Sequence, residues 1–234
     1  RTQNEPVHAQ TELLFPSDKA FCIVKFIPLR LPFFHNTIIQ FPLIGAWAYL
    51  VTKLIPGDDV SIEYKPKHLD VNFIEQSPSI AIGQAKEEIL RMGALSIQGL
   101  EKTYAYLKTK NKRDSDLAYQ VEDALNNLDQ KITDYLVKIS SQPLSDQDSS
   151  RHDMLMDTVR DIERVGDHFE NILELIEYQE VHRIVLTPDA LEDVSEMFEL
   201  TIKTVEKAIE ALNTNDVKLA QEVAEQENVI DKME

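Results

Sequence analysis

The sequence predicts an all-α protein: a membrane-helix remnant followed by repeated three-helix bundles, the second of them incomplete. Three observations carry this. Over most of residues 77–234 apolar side chains recur three and four apart, the period of helices with one buried face. The charge is unevenly placed: residues 1–70 hold seven acidic and seven basic side chains, so the net −17 falls entirely in residues 71–234. Ahead of that acidic part lies Leu31–Thr52, a window with no formal charge. Its length is near the ~20 residues that cross a bilayer.

Composition narrows the function classes. A chain of 234 residues holds one or two compact domains. It opens on Arg1 rather than Met and stops at Glu234 within a helical pattern, so it reads as a piece of a longer product. A surface this negative repels phosphate backbones and anionic headgroups, which disfavours nucleic-acid binding. Cys22 is the single cysteine and excludes an intrachain disulfide. The first twelve residues are polar and lack the apolar core of a secretory signal.

Residues 1–30 read as irregular chain. From Ala20 the composition turns apolar, interrupted by Lys25 and Arg30 and by prolines 28, 32 and 42. The span itself is expected at 31–55, with Trp47, Tyr49 and Lys53 as interfacial anchors at its far end. Its polar members His35, Asn36, Thr37 and Gln40 also fit a buried helical hairpin. Residues 56–76 form a linker: Pro56-Gly57-Asp58-Asp59 is a turn, and VSIEYKPKHLD after it looks extended.

Ser77-Pro78 opens the first bundle helix, with Ser77 as N-cap and Pro78 in the first turn. That helix runs to about Lys110, and Gly93 and Gly99 within it hint at tight packing. After a turn at Asn111–Asp114, the second helix carries the seam Leu117, Val121, Leu125, Leu128, Ile132, Tyr135 and Ile139, close to a coiled-coil spacing. Ser140–Ser150 reads as a polar loop. The third helix contains DMLMDTVRDIERVGDHFENILE, residues 153–174, and ends near Arg183. Thr187-Pro188-Asp189 caps and starts a fourth, and Asp216 caps a fifth. The first and fourth helices share length and seam, and Leu128-Asp129-Gln130-Lys131 parallels Ile230-Asp231-Lys232. This repeat places a complete bundle at 77–186 and the start of another at 187–234.

The third helix holds the main chemical clue. Glu163 and Asp167 are spaced i, i+4 and stack on one face, with Glu170 and Glu174 close by. Gly166 stands between them, where glycine costs roughly 1 kcal/mol against alanine; something there needs close backbone approach or open space. Paired carboxylates can be a solvated face, a hard-cation site or a proton exchanger. Oxygen-only ligands favour Mg, Mn, Ca or iron over zinc. A ferritin-type di-iron site needs Glu-x-x-His, but His152, His168 and His182 follow Ser149, Val165 and Gln179.

There is no nucleophile motif, phosphate loop or HExxH, so the chain is not expected to be an enzyme. His68, His152 and His182 read as surface residues. Tyr104, Tyr106, Tyr119 and Tyr135 read as core or interface filling, and Met154 and Met156 as packing.

Two segments resemble one family. Tyr64–Met92 is similar to the connector and first PhoU-like helix of bacterial sodium/phosphate cotransporter proteins, and Asp157–Ile172, with its Glu-Arg-x-Gly-Asp-His core, resembles the PhoU-type signature. Residues 34–57 look like the last membrane helix of the same transporters; residues 5–30 do not resemble the family. The resemblance implies a multi-pass symporter of the cell membrane that couples sodium entry to phosphate uptake, with a cytoplasmic regulatory helical domain. It also implies metal binding through Glu/Asp-x-x-x-Asp pairs on adjacent helices. Carried over, Glu163 and Asp167 form one half; the other would end at Asp129, but four residues earlier stands Leu125, which is not acidic. Glu227 and Asp231 match the corresponding half in the second bundle.

The transporter repeats that hold sodium and phosphate are absent, so the chain is not expected to transport alone. The leading expectation is therefore a fragment of a sodium-dependent phosphate transporter: its last membrane helix and its regulatory domain, with self-association through the bundle as a further expectation. The alternative is a soluble PhoU-type metal-binding regulator of a separate phosphate uptake system.

Overall fold

The structure, a computed structural model, describes residues 65–233. The chain divides near residue 60, and everything described lies in the second unit, Val60–Glu234. The irregular stretch 1–30 and the membrane helix expected at 31–55 lie outside the described residues. Among the described residues no helix is long and apolar enough to cross a membrane, and no strand occurs.

Among the described residues six helices follow one another: α1 (Asn72–Gln76), α2 (Pro78–Thr109), α3 (Lys112–Ser140), α4 (Asp146–His182), α5 (Pro188–Thr214) and α6 (Val217–Ile230). Local chemistry sets most of their ends. Asn111 accepts from the Arg113 amide, Thr187 from the Ala190 amide, and Asp216 from the amides of Lys218 and Leu219. Three helices close on left-handed residues, Lys110, Arg183 and Asn215. None of the three is glycine, though this is the position glycine most often fills.

Three expectations need correction. Ser77 makes no side-chain cap hydrogen bond; Pro78 starts α2 through its fixed φ and absent N–H alone. The loop expected over 140–150 is shorter, because Ser145 caps α4 by accepting from the Asp148 amide and residues 146–150 are already helical. The linker ends in α1, whose Ile74 is buried in the core.

Helices α2, α3 and α4 pack mutually, up-down-up. Their core follows the expected α3 seam: Val121, Leu125, Leu128, Ile132, Tyr135 and Ile139 are buried, while Leu117 is only half-buried, and they meet Leu155, Val159, Ile162, Phe169 and Ile176 of α4, all buried. Helix α5 runs antiparallel along a different side of α2. Tyr104 stacks on Phe198 at 5.4 Å, and the Lys86 ammonium donates to the Asn213 carbonyl and the Asn215 side chain at the end of α5. Helix α6 packs on α5.

The glycines expected to allow tight packing do so. A Cβ on Gly99 would lie 2.5 Å from the Phe169 ring, and one on Gly93 would overlap Ile209. Of the four tyrosines expected as filling, Tyr106 and Tyr135 are buried and Tyr104 and Tyr119 half-buried.

His152 overturns its surface assignment. It is 7% exposed, its Nε2 donates to the Leu136 carbonyl at 2.9 Å, and its Nδ1 lies 3.2 Å from the Asp153 carboxylate. The helical residues preceding it turn the ring toward α3, which a loop reading cannot foresee. His182 is exposed, with its ring stacked on Tyr178.

An acidic face on α3 and α4

Helices α3 and α4 run antiparallel, so α3 residues followed forwards meet α4 residues read backwards. Lys112 pairs with Glu177, Leu125 meets Gly166, and Leu136 meets His152. Beside the apolar seam this register aligns two acidic rows: Glu122 and Asp129 on α3, and Glu163, Asp167, Glu170, Glu174 and Glu177 on α4.

Glu122 is the buried member, 7% exposed. Burial pushes its carboxyl up to about 7, and Glu170, Asp123 and Asp167 add to the rise, while the Asn126 amide, which donates to it, opposes it. Glu163 is also held above the usual carboxylate range, by burial first and then by Asp167 and Asp129. Glu170 is raised by burial and by Glu174 and Asp167. Asp129 is raised by burial, against Arg160 and a hydrogen bond from Thr133.

One end of the row is neutralised. Glu177 accepts from the Lys112 ammonium at 2.6 Å, the Ser115 hydroxyl at 3.1 Å and the Tyr119 hydroxyl at 3.4 Å. The Lys112 bond is the main reason its carboxyl is held down. Tyr119, half-buried beside Glu177, Glu174 and Glu170, is pushed up to about 12 by desolvation first and then by these carboxylates.

Of the residues singled out as metal ligands, this face brings Glu163, Asp167 and Asp129 within electrostatic reach of one another. Glu227 and Asp231 do not join them: both are exposed on the end of α6, which packs on α5 and touches neither α3 nor α4. The position that a second carboxylate pair would need holds Leu125, which is fully buried and packed on Gly166. Among the described residues no group of three or more His, Cys, Asp or Glu side chains converges as a metal-holding cluster. The expected ligands near one another are thus an α4 pair of carboxylates with one α3 neighbour, Asp129.

Sequence reasoning missed Glu122. Its signal was present, since Glu122 and Asp129 are seven apart and share a flank of the α3 seam.

A family model described as PhoU domain matches residues 89–176 and 194–234, more than half of the chain. No curated protein and no solved structure matches it.

Proposed function

This chain belongs to the PhoU domain family, and we propose that its helical unit is the regulatory part of a sodium-dependent phosphate transporter, following that transporter's last membrane helix. The observation that carries this reading is the family match across both the first bundle and the α5–α6 hairpin. The resemblance of residues 34–57 to the last span of sodium/phosphate cotransporters supports the finer assignment. Sodium and phosphate are then handled by the membrane domain of the complete protein. The helical unit lies on the cytoplasmic side, acts on that domain and catalyses nothing. Glu163 and Asp167, assisted by Asp129, would hold a hard divalent cation or iron weakly.

The test is phosphate uptake in a host stripped of its own transporters, with the complete gene either intact or lacking residues 65–234. Deletion is expected to leave sodium-dependent uptake in place and abolish its response to phosphate supply. An unchanged response overturns the regulatory reading. Absence of sodium-dependent uptake by the intact gene, with its product in the soluble fraction, overturns the transporter reading and favours a separate PhoU-type regulator.

A further inference from the structure

Residues 65–70, the part of the linker just before α1, belong to no helix, yet their backbone is held by side chains of α2 and α3. Glu88 has a fully buried side chain and lies on the core-facing side of α2, between Ala85 and Met92. One of its oxygens accepts from the Lys67 amide at 2.9 Å and the His68 amide at 3.0 Å, with His68 Nδ1 at 2.9 Å. The other accepts from Arg91 Nε at 2.6 Å, and Arg91 also donates to the Lys65 carbonyl at 3.0 Å.

A second attachment lies three residues on. The Tyr135 hydroxyl of α3 is 2.9 Å from the Asp70 carbonyl and 2.8 Å from Gln84 Oε1, which itself accepts from the Asp70 amide at 3.3 Å. Apolar contact adds little. Leu69 is only partly buried, and Lys65, Lys67 and His68 are exposed.

We infer that residues 65–70 are a releasable strap: a segment that docks on α2 and α3 and lifts off as one unit, with Glu88 as its charged latch, while the three-helix core stays folded. The physical ground is the contrast in what holds each part. The core is held by apolar burial. The strap is held by a handful of polar contacts to two points, so its opening exposes little apolar surface and falls at the low end of local unfolding free energies.

The latch is nevertheless firm when closed. Burial alone would raise the Glu88 carboxyl, but the amide of Lys67, Arg91 and the amide of His68 outweigh it and hold the group below the usual range. This inference does not depend on the transporter reading.

Three strap amides report on the device, because those of Lys67 and His68 donate to Glu88 and that of Asp70 donates to Gln84. The experiment is residue-resolved hydrogen exchange on the full 234-residue chain. Tyr135→Phe removes the hydroxyl on Asp70 and keeps the ring. It is expected to accelerate exchange at Lys67 and His68 at least five-fold, although that hydroxyl binds neither, with Val121–Leu136 amides unchanged within two-fold. Glu88→Gln is expected to accelerate all three strap amides at least ten-fold under the same control. Acceleration confined to Asp70 in Tyr135→Phe overturns the single-unit strap. So does no acceleration, or an equal acceleration through α3. If Glu88→Gln does not fold, Tyr135→Phe alone decides.

Discussion

Gly166 of α4 lies directly against the side chain of Leu125 of α3, and a Cβ at position 166 would come 3.0 Å from Leu125 Cδ1. The glycine that interrupts the acidic row therefore serves the apolar seam. It lets the two helices close over a leucine placed where a paired metal site would put an acid. The same contact explains a cost of roughly 1 kcal/mol in helix propensity and the incompleteness of the carboxylate set.

Alanine substitutions should rank the glycines by space. At Gly83 an added Cβ meets nothing within 4 Å, so Gly83→Ala should stabilise by about 1 kcal/mol. Gly166→Ala gains the same propensity but crowds Leu125, and should fall within about 1 kcal/mol of neutral. Gly99→Ala meets the fully buried Phe169 ring at 2.5 Å and should destabilise by about 1–3 kcal/mol. Urea unfolding of the three variants tests the order; a Gly99→Ala protein as stable as Gly83→Ala would refute the packing described.

Glu122 should make stability pH-dependent. Its carboxyl has an ordinary value of 4.5 and rises to about 7 when folded, so the folded state holds this proton more tightly. The stability it contributes is complete below pH 4.5 and is lost as pH rises through 7. Glu122→Gln, which keeps the shape of the protonated form, should be more stable than wild type by about 1–2 kcal/mol at pH 8. The gap should close at pH 5. Denaturation at both pH values checks this, and a gap independent of pH would sink it.

Metal binding through Glu163 and Asp167 should be weak, because the α3 position four before Asp129 holds the buried Leu125 in place of a second acid. Elemental analysis of the chain purified without chelator, then titrated with Mn, Mg or iron, measures it. Loss of the bound metal in Glu163→Gln/Asp167→Asn, with Glu227→Gln/Asp231→Asn unaffected, is the expected pattern. A wild-type protein that takes up no metal on titration counts against the site.

The two histidines at the ends of α4 should differ. His152→Ala removes a buried ring and its bond to the Leu136 carbonyl, and should cost about 2 kcal/mol. His182→Ala removes an exposed ring and should stay within about 0.5 kcal/mol. Thermal melts of both variants decide; equal effects would mean that the His152 contact is not formed in solution.

Helix identity and most boundaries were legible because their causes are local. A 3.6-residue apolar period, prolines at 78 and 188, and the caps Thr187 and Asp216 all act within one turn of chain. Local signals misled at Ser77 and Ser145. Ser77 has the residue type of a cap but makes no cap hydrogen bond, and Ser145 caps a helix within a stretch that reads as a loop. Glu88 could be read as an acid on an apolar face, between Ala85 and Met92, but its partners lie about twenty residues earlier.

By itself, then, the sequence determined an acidic all-α protein with a bundle seam, a repeat and a PhoU-type signature. These follow from periodicity, composition and short-range chemistry. The tertiary structure decided what each polar residue on those helices does. Antiparallel register put Leu125 against Gly166 and Glu122 among the α4 acids, turned His152 inward, and gave the Glu88 carboxylate to the strap. Such outcomes depend on which residues of distant helices meet, and a pattern within one helix does not contain its neighbour.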